Sequence, residues 1–73
     1  MKKCRIDTTI RTLRFLNNEM TQQELADKVN VTRQTIAAIE KGKYSPSLEL
    51  AFKIALVFDK PLEEVFTYKK QEE

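Results

Sequence analysis

Histidine is absent from this 73-residue chain, and cysteine and glycine occur once each. Without an imidazole there is no His-based acid, base or triad partner, and the inventory for a zinc site is missing. Cys4 alone cannot close an internal disulfide. Carboxylates do occur in adjacent pairs, Glu63-Glu64 and Glu72-Glu73, but neighbours on a helix point apart and a charged tail is ordinarily solvated. An enzyme is therefore not expected, nor is a cofactor, a metal or a small-molecule ligand.

Long apolar runs are missing too. None approaches the ~20 residues a membrane span needs, so no membrane partner is expected. Met1 to Asp7 carries charge with no apolar stretch behind it, unlike a signal peptide, which points to the cytoplasm. Repeats, low-complexity tracts and linkers are lacking, so residues 1–73 are expected to form one domain. A chain of this length buries only about 60% of its unfolded surface, which leaves a thin core that a dimer would support.

What is present is globular in balance, with 41% hydrophobic and 33% charged residues. The net charge of +2 is small but lopsided. Residues 1–45 hold nine Lys/Arg against five Asp/Glu, a local +4, and residues 46–73 hold four against six, a local −2. A basic half suits a phosphate-facing surface, although charged faces are commonly only solvating.

Lys2, Lys3 and Arg5 alternate with Cys4 and Ile6, a pattern open to a short strand or a loose basic arm. Asp7, Thr8 or Thr9 can cap a first helix from about Thr8 to Asn17, with Ile10, Leu13 and Leu16 as its buried stripe. Met20 plugs the connector. Thr21 and Glu24 form a capping-box pattern that starts a second helix at Gln22, with Leu25, Ala26 and Val29 inward. Asn30-Val31 interrupts, and Thr32 caps a third helix that runs through Lys41 to Gly42, a residue suited to a helix C-terminus. Thr21 and Thr32 are read first as caps, whose hydroxyls and amides can also meet a phosphate.

Ser45-Pro46-Ser47 opens a fourth helix to about Phe58. Leu48, Ala51, Ile54, Ala55 and Phe58 suffice for its core stripe, which leaves Leu50, Phe52, Leu56 and Val57 as an apolar excess that suggests a partner. After Pro61, LEEVF makes one or two further helical turns, with Glu63 and Glu64 in the favourable first turn. Phe66 to Lys69 is rich in strand formers and can pair with Lys3–Ile6 or with its copy in a second subunit. Phe52, Leu56, Phe66 and Tyr68 are the expected dimer contacts.

The stretch from Thr21 to Lys43 thus reads as two short helices joined by a tight turn, a helix-turn-helix over residues 21–41. At about 100° per residue, Ile39 and Glu40 share the Ile36 side of the third helix, whereas Gln34, Ala37, Ala38 and Lys41 fall opposite. That free face is polar but small, as entry into a major groove roughly 12 Å wide requires. Arg33 and Gln34 lie at its N-terminal end, where Arg can grip guanine O6 and N7 and Gln can pair with adenine N6 and N7. Gln22, at the start of the preceding helix, points toward phosphate in this geometry.

The pieces TQxELA at Thr21–Ala26, VxVTRQTIxxIE at Val29–Glu40, GKYSPSLELA at Gly42–Ala51 and KIA at Lys53–Ala55 together resemble the Xre/Cro family of helix-turn-helix regulators, which includes the lambdoid phage repressors. The resemblance runs from about Ile10 to Phe66 and is greatest to the very short stand-alone repressors. It implies an all-α, five-helix lambda-repressor-like DNA-binding domain, to which a short β pairing of the two terminal segments can be added. It further implies a homodimer on double-stranded DNA. By position, Gln22, Arg33, Gln34 and Ala38 fall at base- or phosphate-facing places with Thr32 and Thr35 nearby, and Lys43 and Tyr44 match positions that approach the backbone. Ala26 matches a small residue that lets two helices come close, and Arg14 with Glu40 matches a family ion pair.

Two departures stand out. Asn30 replaces the usual turn glycine, which Asn tolerates through its access to positive φ. The connector from Arg14 to Gln22 is one residue longer than the common pattern, which weakens the case for the ion pair. The leading expectation is a sequence-specific transcriptional regulator, in particular a repressor on a palindromic operator. An antitoxin-like protein-interaction module using the apolar excess, and a non-specific nucleic-acid binder, remain as alternatives.

Overall fold

Residues 6–68 are described in a computed structural model, in the order β1 (Ile6–Thr8), α1 (Ile10–Leu16), α2 (Gln22–Val29), α3 (Arg33–Glu40), α4 (Leu48–Val57), α5 (Leu62–Val65) and β2 (Phe66–Tyr68). Short-range chemistry starts the longer helices. Thr21 Oγ1 accepts from the Glu24 amide at 2.9 Å while Glu24 Oε1 accepts from the Thr21 amide at 2.8 Å, so the capping box is complete. Thr32 and Ser47 cap α3 and α4 in the same way, through the amides of Thr35 and Leu50.

The ends of α2, α3 and α4 share one device. A left-handed residue, Asn30 (φ 64), Gly42 (φ 74) or Asp59 (φ 55), reverses the chain. The next amide then reaches back five residues, Val31 to the Ala26 carbonyl, Lys43 to Ala38 and Lys60 to Ala55, at 2.9–3.1 Å. Asn30 therefore does the work of the missing glycine. In the α1–α2 connector both Asn18 (φ 57) and Glu19 (φ 53) are left-handed, and the Met20 amide bonds the Arg14 carbonyl at 2.8 Å. The additional residue is absorbed in that reversal.

β1 and β2 pair antiparallel within the chain, with Ile6 opposite Tyr68, Asp7 opposite Thr67 and Thr8 opposite Phe66. Of the expected N-terminal partner segment only Ile6 lies among the described residues; Lys3 to Arg5, Cys4 and Lys69 lie outside them. The expected start of the first helix at Thr8 is corrected to Ile10, because Thr8 continues the strand. Thr8 Oγ1 and Thr9 Oγ1 donate to the carbonyls of Val65 and Glu64, each at 2.9 Å, and the Thr9 amide donates to Val65. These hydroxyls satisfy the orphan carbonyls of α5 and lock the two ends of the fold together.

The core is continuous from Ile10 through Leu25, Ile36 and Ile54 to Val65, all essentially inaccessible, with Met20, Ala26, Val29, Ile39 and Phe58 around them. Two expected core residues are not in it. Leu16 is 72% exposed, because two successive three-residue steps carry it about 120° off the Ile10 direction. Leu48 is 67% exposed and Leu50 is buried in its place, lying about 40° from Ile54 against about 120° for Leu48. Phe52 and Leu56 sit about 160° from Ile54 on either side, on the outer face of α4, and both are exposed.

Candidate nucleic-acid interface

Burial of Ile36 and Ile39 fixes which way α3 faces. Its opposite side carries the exposed Gln34 and the half-buried Ala37 and Ala38, and Arg33, the first residue of the helix, is exposed at its N-terminal end about 60° from Ile36. Neither Arg33 nor Gln34 makes a side-chain hydrogen bond or ion pair among the described residues, so the guanidinium and the amide are available to a ligand. The two alanines keep the middle of that face low, so a groove wall can approach the helix backbone.

The N-terminus of α3 is organised by its cap. Thr32 Oγ1 and Thr35 Oγ1 lie 3.0 Å apart in a hydrogen bond, and Thr32 Oγ1 also accepts the Thr35 amide at 3.2 Å. Thr32 is exposed and Thr35 half-buried. The positive end of the helix dipole therefore opens to the surface beside Arg33, where an anion is stabilised. At the other end, Lys43 and Tyr44 are exposed in the loop after Gly42, and the backbone of Lys43 is tied to Ala38.

One network holds α1, α2 and α3 at fixed angles. Arg14 donates from Nε to Glu40 Oε2 at 2.8 Å and from Nη2 to Oε1 at 3.1 Å. Its Nη1 donates to the Met20 carbonyl at 2.8 Å, and Gln22 Nε2 donates to Glu40 Oε1 at 3.1 Å. The paired side chains are only 14% and 9% exposed, so solvent screening is reduced. The longer connector does not prevent the pair, because the reversal at Asn18 and Glu19 takes up the added residue and turns the Met20 carbonyl onto the same guanidinium.

The geometry thus brings Arg33, Gln34, Thr32 and Thr35 together at one end of α3, and Gln22 with Glu40 at the other. No bond among the described residues links Gln22 to Arg33 or Gln34. The apolar residues Phe52, Leu56 and Tyr68 are exposed and Phe66 half-buried. Leu48 extends the outer ridge of α4 toward an apolar groove that includes Ile6, Pro46, Leu62, Phe66 and Tyr68. Sequence reasoning did not single out Gln22 as a partner of Glu40, nor Arg11. Arg11 lies three residues before Arg14, on the same helix side, and that spacing was a usable signal.

A helix-turn-helix family model matches residues 10–65. An uncharacterized HTH-type transcriptional regulator of Methanocaldococcus jannaschii is 58% identical over 59 residues, covering 81% of this chain and 88% of the relative. One from Archaeoglobus fulgidus is 55% identical over 53 residues, 73% of this chain and 75% of its own length. Another from Bacillus subtilis is 52% identical over 50 residues, covering 68% and 76%. A crystal structure from Bacteroides fragilis, described as that of a candidate DNA-binding protein, matches with a TM-score of 0.72 at 19% identity. It covers 85% of this chain and 98% of its own, a likeness of fold.

Proposed function

This chain belongs to the helix-turn-helix family of Xre/Cro type, and on that premise we propose that it is a sequence-specific regulator of transcription that binds double-stranded DNA. The family is one of DNA-binding regulators and not of enzymes. In this proposal α3 enters the major groove. Arg33 grips a guanine edge and Gln34 an adenine edge, and Ala38 leaves room for a base or a thymine methyl. Gln22, Thr32, Thr35, Lys43 and Tyr44 hold phosphates and set the register. The observation that carries the reading is the pair Arg33 and Gln34, exposed and without a side-chain partner among the described residues, at the capped N-terminus of a helix whose free face is otherwise small.

The protein acts as a homodimer in the cytoplasm and represses by occupying a palindromic operator. Phe52, Leu56, Phe66 and Tyr68 supply the dimer contacts, and Leu48 adds to the same ridge. A stable interface needs about 800 Å² per partner, and an apolar ridge on α4 continuous with a groove beside β2 is a suitable centre for one. A gel-shift against promoter DNA tests the function. Preference for one operator over scrambled duplex is the expected result, and equal binding of all sequences at every salt concentration contradicts it.

The same exposed apolar ridge favours a second reading, an antitoxin-like module that captures another protein. Size-exclusion separates the two. Self-association of the purified protein supports the homodimer, and a monomer with the ridge exposed supports a different partner.

Among the described residues no helix is long and apolar enough to cross a membrane.

A further inference from the structure

Beside α3 the surface sinks into a depression of about 310 Å³ lined by Arg11, Arg14, Gln22, Ala37, Glu40 and Lys41, with Thr8 at its edge. Its interior groups are already committed to one another. Both Glu40 oxygens accept from Arg14, one of them also from Gln22, and the guanidinium neutralises the carboxylate. Arg11 and Lys41 are different. Both are exposed, and neither makes a side-chain hydrogen bond or ion pair among the described residues. The depression therefore carries two uncompensated cations, and the small side chain of Ala37 leaves it open.

Its position gives this charge a use. With Ile36 as the reference direction of α3, Lys41 lies within about 60° of both Gln34 and Ala38, so the depression opens beside the free face of that helix. Backbone phosphates run along both sides of any groove a helix enters. We propose that the depression takes one backbone phosphate of the bound DNA, held between Arg11 of α1 and Lys41 at the end of α3. This extends the footprint beyond the helix-turn-helix onto α1, and it rests on the DNA-binding reading above. Free inorganic phosphate offers the same chemistry, so the test separates the two sources.

Arg11→Gln and Lys41→Gln change exposed side chains, and thermal melts matching wild type show that the fold is retained. Affinity for an operator duplex is then measured across about 50 to 200 mM salt, where each phosphate contact contributes about 0.9 to the slope of log K against log salt. Each variant is expected to flatten the slope by about that amount, so that its loss of affinity over this range is about 3.5-fold smaller than that of wild type, with sequence preference unchanged. Lys60→Gln, in the connector between α4 and α5, is expected to keep the wild-type slope. Wild-type slopes in both Arg11→Gln and Lys41→Gln overturn the phosphate site while leaving base reading by Arg33 intact. A wild-type protein that shows no preference for any duplex overturns both. In the second arm, inorganic phosphate titrated into the protein alone should give no saturable binding below the millimolar range. Saturable binding there, abolished by Arg11→Gln, assigns the depression to a free anion and overturns the DNA proposal.

Discussion

Arg14 grips Glu40 with two parallel N–H donors, at 2.8 and 3.1 Å, and turns its third nitrogen to the Met20 carbonyl. One guanidinium thereby joins the end of α1, the connector that follows it and the end of α3. The consequence is angular: α3 cannot rotate about its own axis without breaking a charge-assisted pair that is largely shielded from water.

Removing one partner leaves the other shielded and unpaired. Arg14→Ala is expected to cost about 2–3 kcal/mol, which for a domain of this size lowers the melting temperature by about 10–20 °C. Glu40→Ala should cost less, since the guanidinium is the more exposed partner and keeps the Met20 carbonyl. A double-mutant cycle read by thermal unfolding checks this, and additive single effects contradict a direct pair.

Left-handed backbone at a side chain other than glycine costs about 1–2 kcal/mol, and glycine gives back about 0.5–1 kcal/mol of that through the unfolded chain. Glu19→Gly at φ 53 is therefore expected to stabilise by about 0.5 kcal/mol. Asn30→Gly should gain less, because Asn already tolerates this region, whereas Asn30→Val should lose more than about 1 kcal/mol. Urea midpoints measure all three, and a destabilised Glu19→Gly contradicts the account of the connector.

Phe52→Lys places a charge on the outer ridge of α4, at a side chain that is 49% exposed and outside the core cluster. The expected outcome is a folded monomer in sedimentation, with operator affinity reduced by far more than the loss of one contact explains, because the two half-sites no longer bind as one unit. A dimer unchanged in mass places the interface elsewhere.

Ile54→Ala opens a void where the side chain is fully buried, and is expected to cost about 2–5 kcal/mol. For a chain with so small a core this is a large share of the total stability. Denaturant titration reads it directly.

Local chemistry made most of this fold legible. The Thr21–Glu24 box, the Thr32 and Ser47 caps and the tolerance of Asn30 for positive φ depend on neighbours within a few residues, and the structure shows each. Leu16 and Leu48 went astray because a stripe counted in steps of three drifts around the helix, so only the geometry of the whole helix separates Leu48 from Leu50. For β1, the alternation up to Ile6 left a strand or a loose arm open, and nothing local marked the strand as running on through Thr8. Thr8 and Thr9 look like helix caps in sequence, yet their hydroxyls serve the α5 carbonyls more than fifty residues away. On α3, the exposure of Gln34 was legible from the wheel and that of Arg33 from its place in the first turn of the helix. The junction of Gln22 with Glu40, and the depression between Arg11 and Lys41, require three helices to be brought together.

Selection of bound duplexes from a random DNA pool, run in parallel with wild type and Arg33→Ala, tests the central claim most directly. The account predicts that wild type enriches a two-fold symmetric motif with half-sites about 10 bp, or ~34 Å, apart. Arg33→Ala should lose about 1–3 kcal/mol of discrimination at a single guanine in each half-site while the other positions keep theirs. A wild-type pool with no enriched motif, or an Arg33→Ala motif identical to that of wild type, contradicts base reading by α3.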